Sequence, residues 1–160
     1  MSADAPDTLQ LLSTTLEAVG HGNAVLITDS AGLREPLART GVTLLATEDA
    51  ESRLDDLPRT ALAIVDGAAR FPSEPVAVQL VGRLRDLHAD RVLVIAAHRH
   101  TGHLDRHALI GLGFQRWASS QDPAGRRRWY EFDMAHYKTT PDWLNPRNWA
   151  NPELWDKYRW

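Results

Sequence analysis

The chain has 160 residues, no cysteine and a formal net charge of -3. That length suits one domain, and the missing thiols exclude a disulfide framework, a cysteine zinc site and thiol catalysis. With no basic excess, no signal-like start and no apolar run near the roughly 18 residues of a membrane span, a soluble cytoplasmic protein is expected, with neither a membrane nor a nucleic-acid partner.

Residues 6–19 predict an amphipathic helix, because Leu9, Leu12, Leu16 and Val19 recur at spacings of three and four. Pro6 suits its first turn and Gly20 its stop. The run AVLIT at 24–28 reads as a strand buried on both faces, ending at Asp29. A short helix interrupted by Pro36 is expected over 31–40, and a second strand over 42–46. Residues 47–59 are polar, with a turn of helix around 50–54. A third strand at 61–65 ends at Asp66. Val76, Leu80, Leu84 and Leu87 form the stripe of a helix over 75–89, with Pro75 at its start. A fourth strand follows at 91–96, then a helix over 104–112 stopped by Gly113. A fifth strand at 114–119, a turn-rich loop at 120–125 and a sixth strand at 127–134 complete the series, with Tyr130, Phe132 and Met134 on one side.

Strands alternating with helices imply parallel βαβ units, hence an α/β three-layer sandwich with a mostly parallel sheet of about six strands. The connection between the last two strands is too short for a helical crossover, so they should pair as an antiparallel hairpin at the sheet edge. Composition shifts after Met134, dividing the chain into an α/β domain at 1–134 and a tail at 135–160 rich in Trp, Asn and Pro.

The acidic end of the third strand, the strand RVLVIAA, and the run HALIGLGFQRW with its partner RRWYEFDM together resemble the closing half of class I S-adenosylmethionine-dependent methyltransferase domains. The resemblance covers roughly 6–134, with one crossover missing after Thr47. It implies a Rossmann-like fold and a place for S-adenosylmethionine. By position, Asp29, Ser30 and Gly32 match the family's glycine loop, Glu48 its ribose-holding acid, and Asp66 the acidic position of the next strand. This loop carries one glycine where the family has several to let backbone approach the cofactor. The whole chain also resembles small uncharacterised bacterial proteins with a degenerate domain of this type. A nicotinamide fingerprint is absent. A receiver-like layout expects a paired acidic residue near the first strand and a lysine placed after the last one, and neither appears, the only lysines being Lys138 and Lys157.

His98, His100 and His103 follow the fourth strand, where an open α/β sheet places its ligand crevice. With Asp66 they form a candidate substrate crevice, and His107 is placed to share a helix face with His103. No third metal ligand is fixed, so no metal is assigned. Asp29 and Asp66 have a duller role available as caps of the helices that follow them. The run Arg126-Arg127-Arg128 reads as solvated charge guarding an edge strand, with phosphate contact as the alternative.

The tail repeats W-x-N-P-x-x from Trp143 through Trp149 to Trp155, and Trp160 ends the chain. Each Asn-Pro should start a short helical turn. The ridge of tryptophans then covers the domain itself, buries a homodimer interface, or docks on another protein, since Trp is enriched at interfaces. The reading is a non-catalytic methyltransferase-like binding or scaffold module. Its alternative is a small S-adenosylmethionine-dependent methyltransferase with an atypical cofactor loop.

Overall fold

A computed structural model describes residues 5–68, 70–96 and 103–137, with the backbone alone at 137. Helix α1 (Thr8–Val19) is capped by Asp7, whose carboxylate accepts the Leu9 and Gln10 N–H groups, so Pro6 lies outside it. Strand β1 (Ala24–Ile27) is buried throughout. Then come α2 (Ala31–Leu37), β2 (Thr43–Leu45) and α3 (Thr47–Arg53). The turn expected at 50–54 is thus a helix from Thr47, continued by a 3-10 turn at Leu54–Asp56.

After β3 (Thr60–Asp66), α4 (Glu74–Arg83) starts under a Ser73 cap with Pro75 in its first turn. It is shorter than the expected 75–89 because the backbone widens into a π turn at Leu84–His88. The wider turn rotates later residues off the stripe, and Leu87 emerges exposed. Residues 89 and 90, read as helix end and connection, already belong to β4 (Ala89–Ile95). Helix α5 (Arg106–Gly111) is followed by Gly113 at φ 87°, the left-handed stop.

The expected loop at 120–125 is mostly strand. Strand β5 (Gln115–Asp122) joins β6 (Gly125–Asp133) through two residues, with the Asp122 carboxylate accepting the Ala124 and Gly125 N–H groups. A single turn, α6 (Met134–Tyr137), ends the described part.

Among the described residues six strands form one sheet in the order β2-β1-β3-β4-β6-β5. The first four are parallel, and β6 runs antiparallel to both β4 and β5. The hairpin therefore folds as expected, but β6 is interior and β5 is the edge. Their residues explain the order: Trp129, Tyr130 and Phe132 of β6 are buried, whereas most of β5 is exposed or half-buried. The β5 edge is itself shielded, since Gln121 N–H donates to the Pro6 carbonyl and a bulge lies between Arg116 and Ala118.

The sheet separates two apolar layers. One joins Leu12, Leu16, Leu33 and Leu37 of α1 and α2 to Leu26, Ile64, Leu93 and Trp129. The other joins Leu80, Leu84 and Leu109 to Val65, Val94, Tyr130 and Phe132, with Met134 against them, as the sequence period requires. Trp129 is fully buried and its Nε1 donates to Ser120 Oγ at 2.8 Å. Ser120 also shares a 2.7 Å hydrogen bond with Thr8, which pins α1 to the hairpin.

Candidate functional site

Strand order reverses between β1 and β3, so their C-terminal ends flank the switch point where open α/β sheets bind ligands. Thr28 and Asp29 leave β1 there, and Asp66 ends β3. In a strand the side chains alternate between faces. Thr28 and Asp66 follow Leu26 and Ile64 onto the face covered by α1 and α2. Arg127 of β6 follows Trp129 onto the same face.

These three residues join below the surface. Asp66 is 2% exposed and Arg127 5%. Arg127 Nη2 donates to Asp66 Oδ1 at 2.7 Å, and Thr28 Oγ1 donates to Asp66 Oδ2 at 2.8 Å. Arg127 crosses β4 to reach Asp66 and also donates to the carbonyls of Ile95 and Ala96. The Ala68 N–H donates to Asp66 Oδ1 at 3.1 Å. The reading of Arg127 as solvated edge charge is therefore overturned: an interior strand carries it beneath the surface, and a buried guanidinium must find a carboxylate and carbonyls. Arg126 donates to Ser119, and Arg128 stands on the opposite face from Arg127.

Asp29 is exposed, yet both its oxygens are occupied. Oδ1 accepts the Thr47 N–H at 2.9 Å, and Oδ2 accepts the Thr47 hydroxyl at 2.6 Å and the Arg70 N–H at 3.1 Å. Asp29 thus caps α3, a distant helix, rather than α2. Burial acts to raise its pKa, but the Thr47 and Arg70 hydrogen bonds and the Arg34 charge outweigh this and hold it below the ordinary value.

Ser30 stands at the N-cap of α2 without a side-chain capping bond, and its N–H donates to Thr28 Oγ1. Gly32 lies in the first turn of α2, where an added Cβ would make only ordinary contact, with Ser30 Oγ at 3.7 Å. Glu48 is exposed in the first turn of α3, next to the Thr47 that binds Asp29. Ribose hydroxyls could take an Asp29 oxygen only by joining or displacing its internal bonds, whereas the Glu48 carboxylate is exposed. Of the acids that match the cofactor positions, Asp29 and Asp66 already hold internal bonds, and Glu48 stays exposed.

His103 is half-buried and precedes α5, whose cap is Asp105, so it does not share a helix face with the exposed His107. His98 and His100 lie outside the described residues, as do Trp143, Trp149, Trp155 and Trp160. Sequence reading missed a group at the other end of β6, where Glu131, Asp133 and His136 place ligand atoms within 4.8 Å of one another. Arg91 is ion-paired to Glu131 there, so a guanidinium already balances that carboxylate.

The magnesium protoporphyrin IX methyltransferase of Synechocystis PCC 6803, solved with bound SAM, is 13% identical over 78% of this chain and 76% of its own, with a TM-score of 0.51. A SAM-dependent methyltransferase from Aquifex aeolicus is 10% identical over 78% of this chain and 89% of its own, with a TM-score of 0.46. The precorrin 8W decarboxylase of Methanobacterium thermoautotrophicum is 16% identical over 77% of this chain and 88% of its own, with a TM-score of 0.46. The first of these likenesses establishes a methyltransferase-like, Rossmann-like α/β fold and nothing about activity. No curated protein sequence matches significantly. A model of a family of unknown function, DUF6231, matches residues 5–160, and the chain belongs to that family.

Proposed function

We propose that this chain is a non-catalytic methyltransferase-like module that binds or scaffolds a partner. The observation that supports it best is the buried Asp66–Arg127 pair. A carboxylate held by a guanidinium and a hydroxyl at 2% exposure serves the sheet, and exposing it to a ligand would strand Arg127. Asp29, bound to Thr47 and Arg70, supports the same reading. The tail at 135–160 acts as a separate cover or homodimer interface for the domain at 1–134, and the protein works in the cytoplasm. Among the described residues no helix is long and apolar enough to cross a membrane.

The alternative is a small S-adenosylmethionine-dependent methyltransferase, with Asp29, Ser30, Gly32, Glu48 and Asp66 at the cofactor. His98, His100 and His103 would then face the acceptor. Among the described residues, Glu48, exposed beside the switch point, is placed to favour it. Calorimetric titration of the full chain separates the two. The module predicts no saturable heat with S-adenosylmethionine, and one-to-one binding at micromolar affinity would sink it.

A further inference from the structure

Helix α5 and the β5–β6 hairpin frame an open cavity of about 490 Å³. Arg106, Arg116 and Arg128 line it together with Ile110, Phe114 and Tyr130, and no acidic residue does so among the described residues. Elsewhere Arg59, Arg83, Arg85 and Arg91 each hold a carboxylate. The three cavity arginines hold none: they engage no partner among the described residues. All three are exposed, so together they form a positive, solvent-open face with no carboxylate beside it among the described residues. Tyr130, 3% exposed as a whole residue, lines the same place and adds a phenol to the guanidinium groups there.

We propose that this cavity binds a phosphorylated small molecule of nucleotide size. Planar guanidinium groups match phosphate oxygens in pairs, and the volume lies in the range of small-ligand sites. Ile110, 50% exposed at the rim, offers an apolar contact for the organic part. The chain's net charge of -3 and the concave shape favour a compact anion over a nucleic-acid strand. This site stands apart from the switch point and does not depend on the proposed lack of catalysis.

The test is calorimetric titration of the full chain with pyrophosphate and with ADP at low salt. Both should bind saturably, ADP more tightly, and affinity should fall as salt rises. Arg116→Glu with Arg128→Glu should weaken binding at least about tenfold while the circular dichroism spectrum stays unchanged. Should that pair fail to fold, Arg106→Gln and Tyr130→Phe, each expected to weaken ADP binding several-fold, carry the same test. Absence of saturable binding by the unmodified chain would overturn the site, as would affinity unmoved by all these variants. Vesicles bearing phosphomonoester headgroups, or single-stranded RNA, binding where pyrophosphate and ADP do not would overturn the soluble ligand.

Discussion

Arg127 and Arg128 are neighbours in β6 and have opposite fates. Arg127 points to the α1–α2 layer, where Asp66 and two carbonyls engage its guanidinium. Arg128 points to the α5 layer, where it joins Arg106 and Arg116 around an open cavity. One step along a strand exchanges the faces of the sheet, so a run of like charges there divides into two functions. At the switch point Asp29, Asp66 and Arg127 face internal partners, whereas at α5 the charges face space. The first region reads as structure and the second as a site.

The comparison breaks most sharply at Arg127. Arg127→Met leaves Asp66 buried and unpaired, and should lower unfolding stability by about 3–5 kcal/mol in urea melts. Adding Asp66→Leu should recover part of that loss, because the pair is replaced by apolar volume. A loss under 1 kcal/mol for Arg127→Met would mean that the pair is not the brace described above. Thr28→Val removes one donor to Asp66 and should cost about 1–2 kcal/mol.

Asp29 gives a smaller effect with a defined sign. Its folded pKa lies below the unfolded 3.8, so its contribution is present above that value and fades as pH falls through the folded one. Asp29→Asn should cost under about 1 kcal/mol at neutral pH, since the group is exposed and screened. The variant should also show a flatter urea midpoint below pH 4 than the parent, and equal slopes would remove Asp29 from the account. Arg128→Gln sits at the bottom of the series, within about 0.5 kcal/mol of the parent, because it loses no partner.

Most of the sheet was legible in sequence because its strands are short apolar runs with acidic ends and its helices have plain stripes. The hairpin was legible from the short connection, but its order was not. The charges at 126–128 mark β6 as an edge in the sequence, while Trp129, Tyr130 and Phe132 supply the apolar content that draws it inside. Asp29 and Asp66 were legible as strand-end acids, and their partners were not. Thr47 and Arg127 lie 18 and 61 residues away, distances that only the folded sheet closes. The cavity was less legible still, since Arg106, Arg116 and Arg128 come from three elements.

The central claim is that the strand-end acids of this methyltransferase-like sheet serve the fold and not a cofactor. Thermal unfolding of the full chain with and without millimolar S-adenosylmethionine tests it most directly, because a ligand that binds only the folded state must raise Tm. The account predicts coincident curves. A saturable rise in Tm that Asp29→Asn abolishes would contradict it.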